Sequence, residues 1–346
     1  MTSPDAAEYT GDRRHVSASA PGTVTLYLGV GDGRGPGGDH DLVTVRQALD
    51  LVETVTVTVT GRHRDGVGRC LTGISATGRD AAEVPTDSDS PVARGALAVV
   101  ERYHRSAPDA PLPYLHLSVD NGVPVAGGLS GEAADVAAAM VATREILHGP
   151  GAAEEGFARA TRPGDTELQD LASSLGIDVA CSLLGGTVLG TCSGSGTDLV
   201  PVLSRGTRHW AFALGLRELA ADDVLRRLDD QRDAAARGER PDVRVGEVTA
   251  VQRALLTDNP TELAAVLAND LQAPAVSLRP DLRHTLTAAR EAGALGAVVS
   301  GAGPTVAMLC SDREHAVEVA TAVAVAGHAG PTLVAASSPH GARPVP

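Results

Sequence analysis

The chain contains no lysine: all 29 of its basic residues are arginine. Chemistry that needs a lysine side chain is therefore excluded, including a Walker-type phosphate loop. Cationic charge is scarce overall, since 43 acidic residues bring the formal net charge to -14. Nucleic acids and anionic membranes need a basic face, so neither is expected as a partner. The four cysteines, Cys70, Cys181, Cys192 and Cys310, lie far apart. They lack the paired spacing of a zinc site or a disulfide framework and read as cytoplasmic thiols, with no metal ligands assigned. No apolar run reaches about 18 residues, so no membrane span is expected. Residues 1–15 are polar and carry Arg13 and Arg14 without the apolar stretch of a secretory signal, so they read as a tail.

What remains is an ordinary globular composition, 43% hydrophobic and 21% charged, over 346 residues. That length exceeds what one compact core usually serves, so two packed units are expected. Val24, Leu26 and Leu28 alternate as in a strand, then give way to a glycine loop from Gly29 to Gly38. Val55, Val57 and Val59 alternate with threonines as a half-buried strand. Helices are expected at 91–103, 133–147, 166–175, 219–237, 261–269, 282–292 and 315–326, and further strands at 115–119, 200–203, 210–214, 297–298 and 306–309. Residues 150–156 read as a connection and the tail after Pro339 as loose. The irregular mixture favours α+β over a regular parallel array.

Three stretches can carry chemistry. Pro124–Asp135 brings Gly127, Gly128, Leu129, Ser130, Gly131 and Glu132 to a helix start. Backbone N–H groups and the helix dipole converge there, which suits a phosphate; a turn chosen only for its backbone geometry would look the same. Asp178 stands alone among small and apolar residues, as a general base toward a hydroxyl or as a helix cap. Ser300-Gly301-Ala302-Gly303-Pro304-Thr305 forms a tight loop after a strand. Gly31, Gly33 and Gly35 do not make a dinucleotide fingerprint, because the third glycine spacing and the following helix are missing.

Together these stretches resemble the galactokinase, homoserine kinase, mevalonate kinase and phosphomevalonate kinase superfamily. The likeness runs from Ser19 to Leu309 and includes Ala20-Pro21-Gly22, Asp39-His40-Asp41-Leu42, Asn269-Asp270-Leu271 and Gly185-Gly186-Thr187. It implies an α+β fold of two domains with the site in the cleft between them, placed here at 16–164 and 165–338, with tails 1–15 and 339–346. It implies ATP phosphates, with Mg²⁺, on Gly127–Gly131, and Asp178 facing the hydroxyl of a small-molecule substrate. Within the superfamily the likeness is to the branch acting on a cytidine-bearing alcohol of the non-mevalonate isoprenoid pathway. His40 would then hold the cytidine group, Thr23 and Thr25 would line the substrate, and Ser300, Gly301 and Gly303 would close the site.

Several positions depart from the family pattern. Thr23 and Thr25 stand where Lys and Asn are usual, Asp39 replaces an aromatic, and Ser90-Pro91 replaces an Asn-Leu pair. Glu132 and Ala133 end the glycine loop in place of Gly and Ser. At a screened dielectric, two unit charges 4 Å apart repel by about 4 kcal/mol, so Glu132 either opposes a nucleotide phosphate or holds Mg²⁺ against it. Arg34 and Arg46 are the nearby cations that can stand in for the lysine. Two readings follow: an active kinase, or a degenerate paralogue that keeps the fold without transferring phosphate.

Overall fold

The computed structural model describes residues 15–34, 40–125, 127–148, 166–194, 196–215, 217 and 219–345. In chain order the first half contains β1 (His15–Arg34), β2 (His40–His63), β3 (Leu71–Gly78), α1 (Pro91–Ser106), β4 (Leu112–Asn121) and α2 (Gly131–His148). It continues through α3 (Thr166–Leu175), α4 (Ile177–Leu184), β5 (Thr187–Ser193) and β6 (Gly196–Pro201). The second half contains β7 (His209–Ala213), α5 (Ala221–Ala236), α6 (Val248–Leu255), α7 (Pro260–Ala264), β8 (Ala268–Asn269) and α8 (Gln272–Leu278). It ends with α9 (Asp281–Glu291), β9 (Gly296–Val299), β10 (Val306–Cys310), α10 (Arg313–Ala326), β11 (Thr332–Ala336) and β12 (Arg343–Val345).

These strands make two sheets. In the larger, the order is β12-β1-β2-β4-β3, with β5 and β6 continuing from β2 and β8 lying against β1. The smaller has the order β11-β7-β10-β9. β2 is long enough to serve two partners: Leu42–Gln47 pair with β5, and Thr54–His63 pair with β4. Bulges in β1 between Pro21 and Thr23 and between Thr25 and Tyr27 bend the hairpin between those two halves.

Burial explains the elements. Val55, Val57 and Val59 point inward while their threonine neighbours stay partly exposed, as period-2 patterning requires. Apart from Asp135, α2 is apolar all round from Ala133 to Ala142 and fully enclosed, packed by the sheet, α1 and α4. β7 splits its residues, with Trp210 and Phe212 joining one core and Ala211 and Ala213 another. α10 starts where the Asp312 carboxylate accepts from the His315 N–H (2.9 Å) and stops at Gly327 in the left-handed region.

The structure departs from the sequence expectations in four places. α3, α4, β5 and β6, placed by sequence in the second domain, pack on the first sheet: Leu168, Ala172, Val179 and Leu183 share the core of α1 and α2. The packing therefore changes after β6, beyond the expected 164/165 boundary. The expected helix at 261–269 stops at Ala264, because Ala268 and Asn269 pair in parallel with Tyr27 and Leu28. β1 runs on through Gly29–Arg34, where Val30 pairs with Leu42 and Arg34 with His40. The expected loose tail contains β12, held on β1 by the pairs Ser17–Val345 and Ser19–Arg343. The expected tail 1–14, the remaining loop 35–39 and the connection 150–156 lie outside the described residues.

Candidate active site at the meeting of the two sheets

The glycine loop sits at the start of α2, with Gly127, Gly128 and Ser130 all at positive φ (74°, 86° and 58°). The loop is pinned from both sides. The Thr23 N–H donates to the Leu129 carbonyl (2.9 Å), and Leu129 is buried. From the second sheet, the Ser300 hydroxyl donates to the Gly128 carbonyl (2.5 Å) and the Thr305 hydroxyl to the Gly127 carbonyl (2.7 Å). Ser300 also accepts from the Thr25 N–H (3.2 Å), and the Thr25 hydroxyl accepts from the Gly301 N–H (3.1 Å). Thr25, Ser300, Gly301 and Gly303 are thus buried in the seam, where they join the loop to the second sheet. Asn269 holds the same loop by donating to the Val299 and Gly301 carbonyls (both 2.7 Å).

Beside this loop lies a polar chain that ends on Asp178. Arg46 on β2 donates through Nη1 to the Ser130 hydroxyl (2.9 Å) and to the Thr23 hydroxyl (3.3 Å). Thr23 and Ser130 share a further hydrogen bond of 2.9 Å. The other arm of the guanidinium, Nη2, lies 2.8 Å from Asp178 Oδ1 in the first turn of α4. The Arg46 side chain is 9% exposed and that of Asp178 38%, so a buried cation presents an open carboxylate. The alternative of Asp178 as a plain helix cap does not describe this contact. Cys181, one turn along α4, is a buried thiol pushed up to about 12 by desolvation, and it stays protonated.

Glu132 is exposed in the first turn of α2 and makes no ion pair among the described residues. Its charge acts on Asp135 one turn behind. Burial pushes Asp135 up to about 8, with Glu53 and then Glu132 adding to the shift. Burial also raises Glu53, to about 7, against the opposing hydrogen bonds it accepts from the Gly122 and Val123 N–H groups (2.9 and 3.0 Å). This carboxyl pair behind the loop was not singled out in the sequence. The signal was present, because Glu53 falls in phase with the inward-facing Val55, Val57 and Val59.

His40 lies six residues before Arg46 on β2. Its Nε2 is 3.4 Å from Asp229 Oδ1 on α5, and its Nδ1 is buried without a hydrogen-bond partner. The Ser90 hydroxyl, at the start of α1, is likewise buried and unpartnered. Asp39 lies outside the described residues. Among the described residues, no group of three or more His, Cys, Asp and Glu side chains is placed to hold a metal ion. No helix there is long and apolar enough to cross a membrane.

Comparison with known proteins identifies the family. The GHMP kinases N-terminal domain matches residues 90–186, and the GHMP kinases C-terminal family matches residues 251–329. The chain is 44% identical to a 4-diphosphocytidyl-2-C-methyl-D-erythritol kinase of Corynebacterium jeikeium, over 93% of this chain and 91% of that protein. It is 42% identical to the protein of the same name from Nocardia farcinica, over 95% of each. Among solved structures, a homoserine kinase from Cytophaga hutchinsonii superposes with a TM-score of 0.67 at 19% identity, covering 97% of this chain and 99% of that one. A 4-(cytidine 5'-diphospho)-2C-methyl-D-erythritol kinase superposes with a TM-score of 0.64 at 21% identity, covering 93% and 99%. These two structural likenesses speak for the fold, and the near-full-length identities speak for the branch. The chain belongs to the 4-diphosphocytidyl-2-C-methyl-D-erythritol kinase family of the GHMP kinases.

Proposed function

We propose that the chain transfers the terminal phosphoryl group of ATP to the hydroxyl of 4-diphosphocytidyl-2-C-methyl-D-erythritol. The observation that carries this reading is the continuous link Ser130–Arg46–Asp178, which sets the glycine loop beside an open carboxylate. Phosphoryl transfer asks a protein mainly to position donor and acceptor and to neutralise charge, and this link brings those two tasks to one place. Gly127–Gly131 and the start of α2 cradle the ATP phosphates with backbone N–H groups. Asp178 orients the acceptor hydroxyl and takes its proton as the oxygen attacks.

Glu132 is exposed in the first turn of α2, directly after the loop proposed to hold the nucleotide. Mg²⁺ commonly uses one or two carboxylates together with substrate phosphates, and Glu132 is the residue placed to contribute one. The bound ion would neutralise phosphate charge there. His40 serves the far end of the substrate. Six residues of strand span about 20 Å, which suits a nucleoside diphosphate joined to a polyol with its hydroxyl at Asp178.

The test is product formation from ATP and 4-diphosphocytidyl-2-C-methyl-D-erythritol, followed by mass spectrometry. Wild-type chain forms the monophosphorylated product, and Asp178→Asn loses about 10²- to 10⁴-fold in kcat while remaining folded, with an unfolding midpoint lowered by loss of the Arg46 ion pair. Absence of product from the wild-type chain, or full turnover by the Asn variant, overturns the reading.

A further inference from the structure

Position 23 is where the superfamily pattern has its lysine, and this chain has threonine there and no lysine anywhere. The space beside the Thr23 hydroxyl is nevertheless cationic. Arg46 reaches it from the neighbouring strand, with Nη1 at 3.3 Å from Thr23 Oγ1 and Nη2 at 2.8 Å from Asp178 Oδ1. Register explains the approach: Arg46 pairs directly with Thr25 on β1 and with Val188 on β5, in the middle of the sheet. A buried guanidinium needs compensation, and Asp178 is its one ion-pair partner among the described residues. The Arg46 Nε is buried and has no hydrogen-bond partner, so the fold does not use every donor of this side chain.

We propose that Arg46 is the positioning residue for Asp178, supplying from β2 the positive charge that a lysine at position 23 would supply from β1. The proposal rests on the kinase reading above. A purely structural role would be met by any pair of groups that filled the seam. The asymmetric exposure argues for more, because the cation is enclosed while the carboxylate it holds stays 38% exposed. The planar fork also ties Ser130 of the glycine loop to Asp178 through one rigid group, which the single point charge of an ammonium cannot do.

Four proteins test this: wild type, Arg46→Gln, Arg46→Lys, and the double variant Thr23→Lys/Arg46→Gln. Each is assayed for kcat and KM with both substrates across pH, with urea midpoints as the folding control. Arg46→Gln is expected to lose about 100-fold or more in kcat while KM moves by less than about threefold. The double variant is expected to recover at least about tenfold of that loss, because the lysine returns the charge to the same spot. Its rate should fall at high pH earlier than that of wild type, since an ammonium titrates where a guanidinium does not.

Arg46→Gln turning over like wild type overturns the proposal and leaves the kinase reading intact. A folded, inactive Arg46→Gln that the lysine fails to rescue overturns it too. An inactive wild type overturns both. If Arg46→Gln does not fold, Arg46→Lys decides: reduced turnover with a new alkaline limb supports the proposal, and a pH profile matching wild type overturns it.

Discussion

Two carboxyl groups lie buried behind the glycine loop, and their energetics belong to single residues. Glu53 is fully enclosed and Asp135 nearly so, with one Asp135 oxygen left without a hydrogen bond. Both are raised chiefly by desolvation, to about 7 and about 8, with the Asp120 charge adding to the rise of Glu53 and the Glu53 charge to that of Asp135. A raised folded-state pKa means that the folded chain keeps protons the unfolded chain has released. The resulting stability is complete below the ordinary carboxylate range and is lost as pH climbs through about 7 to 8. Asp281 and Asp312 are lowered instead, so their contributions are lost only at acid pH, outside this window. The urea midpoint should therefore be lower at about pH 8.5 than at about pH 6, and Asp135→Asn should flatten that slope. A variant whose slope matches wild type would remove Asp135 from the account. The sequence showed the phase of Glu53 on its strand, but not that α2 would lay Asp135 against it.

At the scale of elements, the glycine loop is shaped by contact with the 300–305 loop as much as by its own glycines. A Cβ on Gly128 would stand 2.5 Å from the Ser300 carbonyl oxygen, at a φ of +86° that side chains rarely adopt. Gly128→Ala must therefore push the two loops apart and break the Ser300–Gly128 hydrogen bond. The expected outcome is ATP binding weakened at least about tenfold by calorimetry, with a stability loss of about 1–3 kcal/mol. ATP affinity equal to wild type would separate the loop from nucleotide binding. Several elements were legible from their own patterning, including α1, α3, α5, α9 and β7. β3, β5, β8, β11 and β12 were not, because each is completed by a partner distant in sequence.

For the molecule as a whole, the two sheets share a buried apolar core, where Val24, Leu26 and Val45 meet Trp210, Phe212 and Leu309, and polar clasps add to it around the site. Besides the Ser300 and Thr305 bonds, Arg232 on α5 donates to the Val30 and Gly31 carbonyls (2.7 and 2.9 Å). Asp270 accepts from the Val30 N–H (2.9 Å) and the Val245 N–H (3.0 Å). The end of the chain takes part as well. It crosses the C-terminal end of α4, where the Ala342 N–H donates to the Leu183 carbonyl (3.0 Å), and then joins β1 as β12. Gly341 lies so close that a Cβ there would stand 2.2 Å from the Leu183 oxygen. Because α4 carries Asp178, this strap braces the helix that presents the proposed catalytic carboxylate. Removing residues 339–346 should lower the melting temperature and reduce kcat together, and Gly341→Ala should cost about 1–3 kcal/mol. A truncated chain with wild-type turnover would show that α4 stands without the strap.

The sequence by itself determined the class of the fold and the motifs: glycines before an apolar helix, an isolated Asp178, and a Ser-Gly-Ala-Gly-Pro-Thr loop in family order. These are local features, set by backbone freedom, helix propensity and side-chain period, so they can be read one segment at a time. It also posed a charge problem, a site short of its lysine with Glu132 added, without resolving it. Only the tertiary structure decided that Glu132 faces solvent, that α3 to β6 belong with the first sheet, and that Arg46 meets both Ser130 and Asp178. Those outcomes depend on strand register between β1, β2 and β5 and on the packing of α4 beneath the sheet. Register and packing join residues far apart in the sequence, 84 positions for Arg46 and Ser130, and no local pattern in either partner specifies where the other will lie.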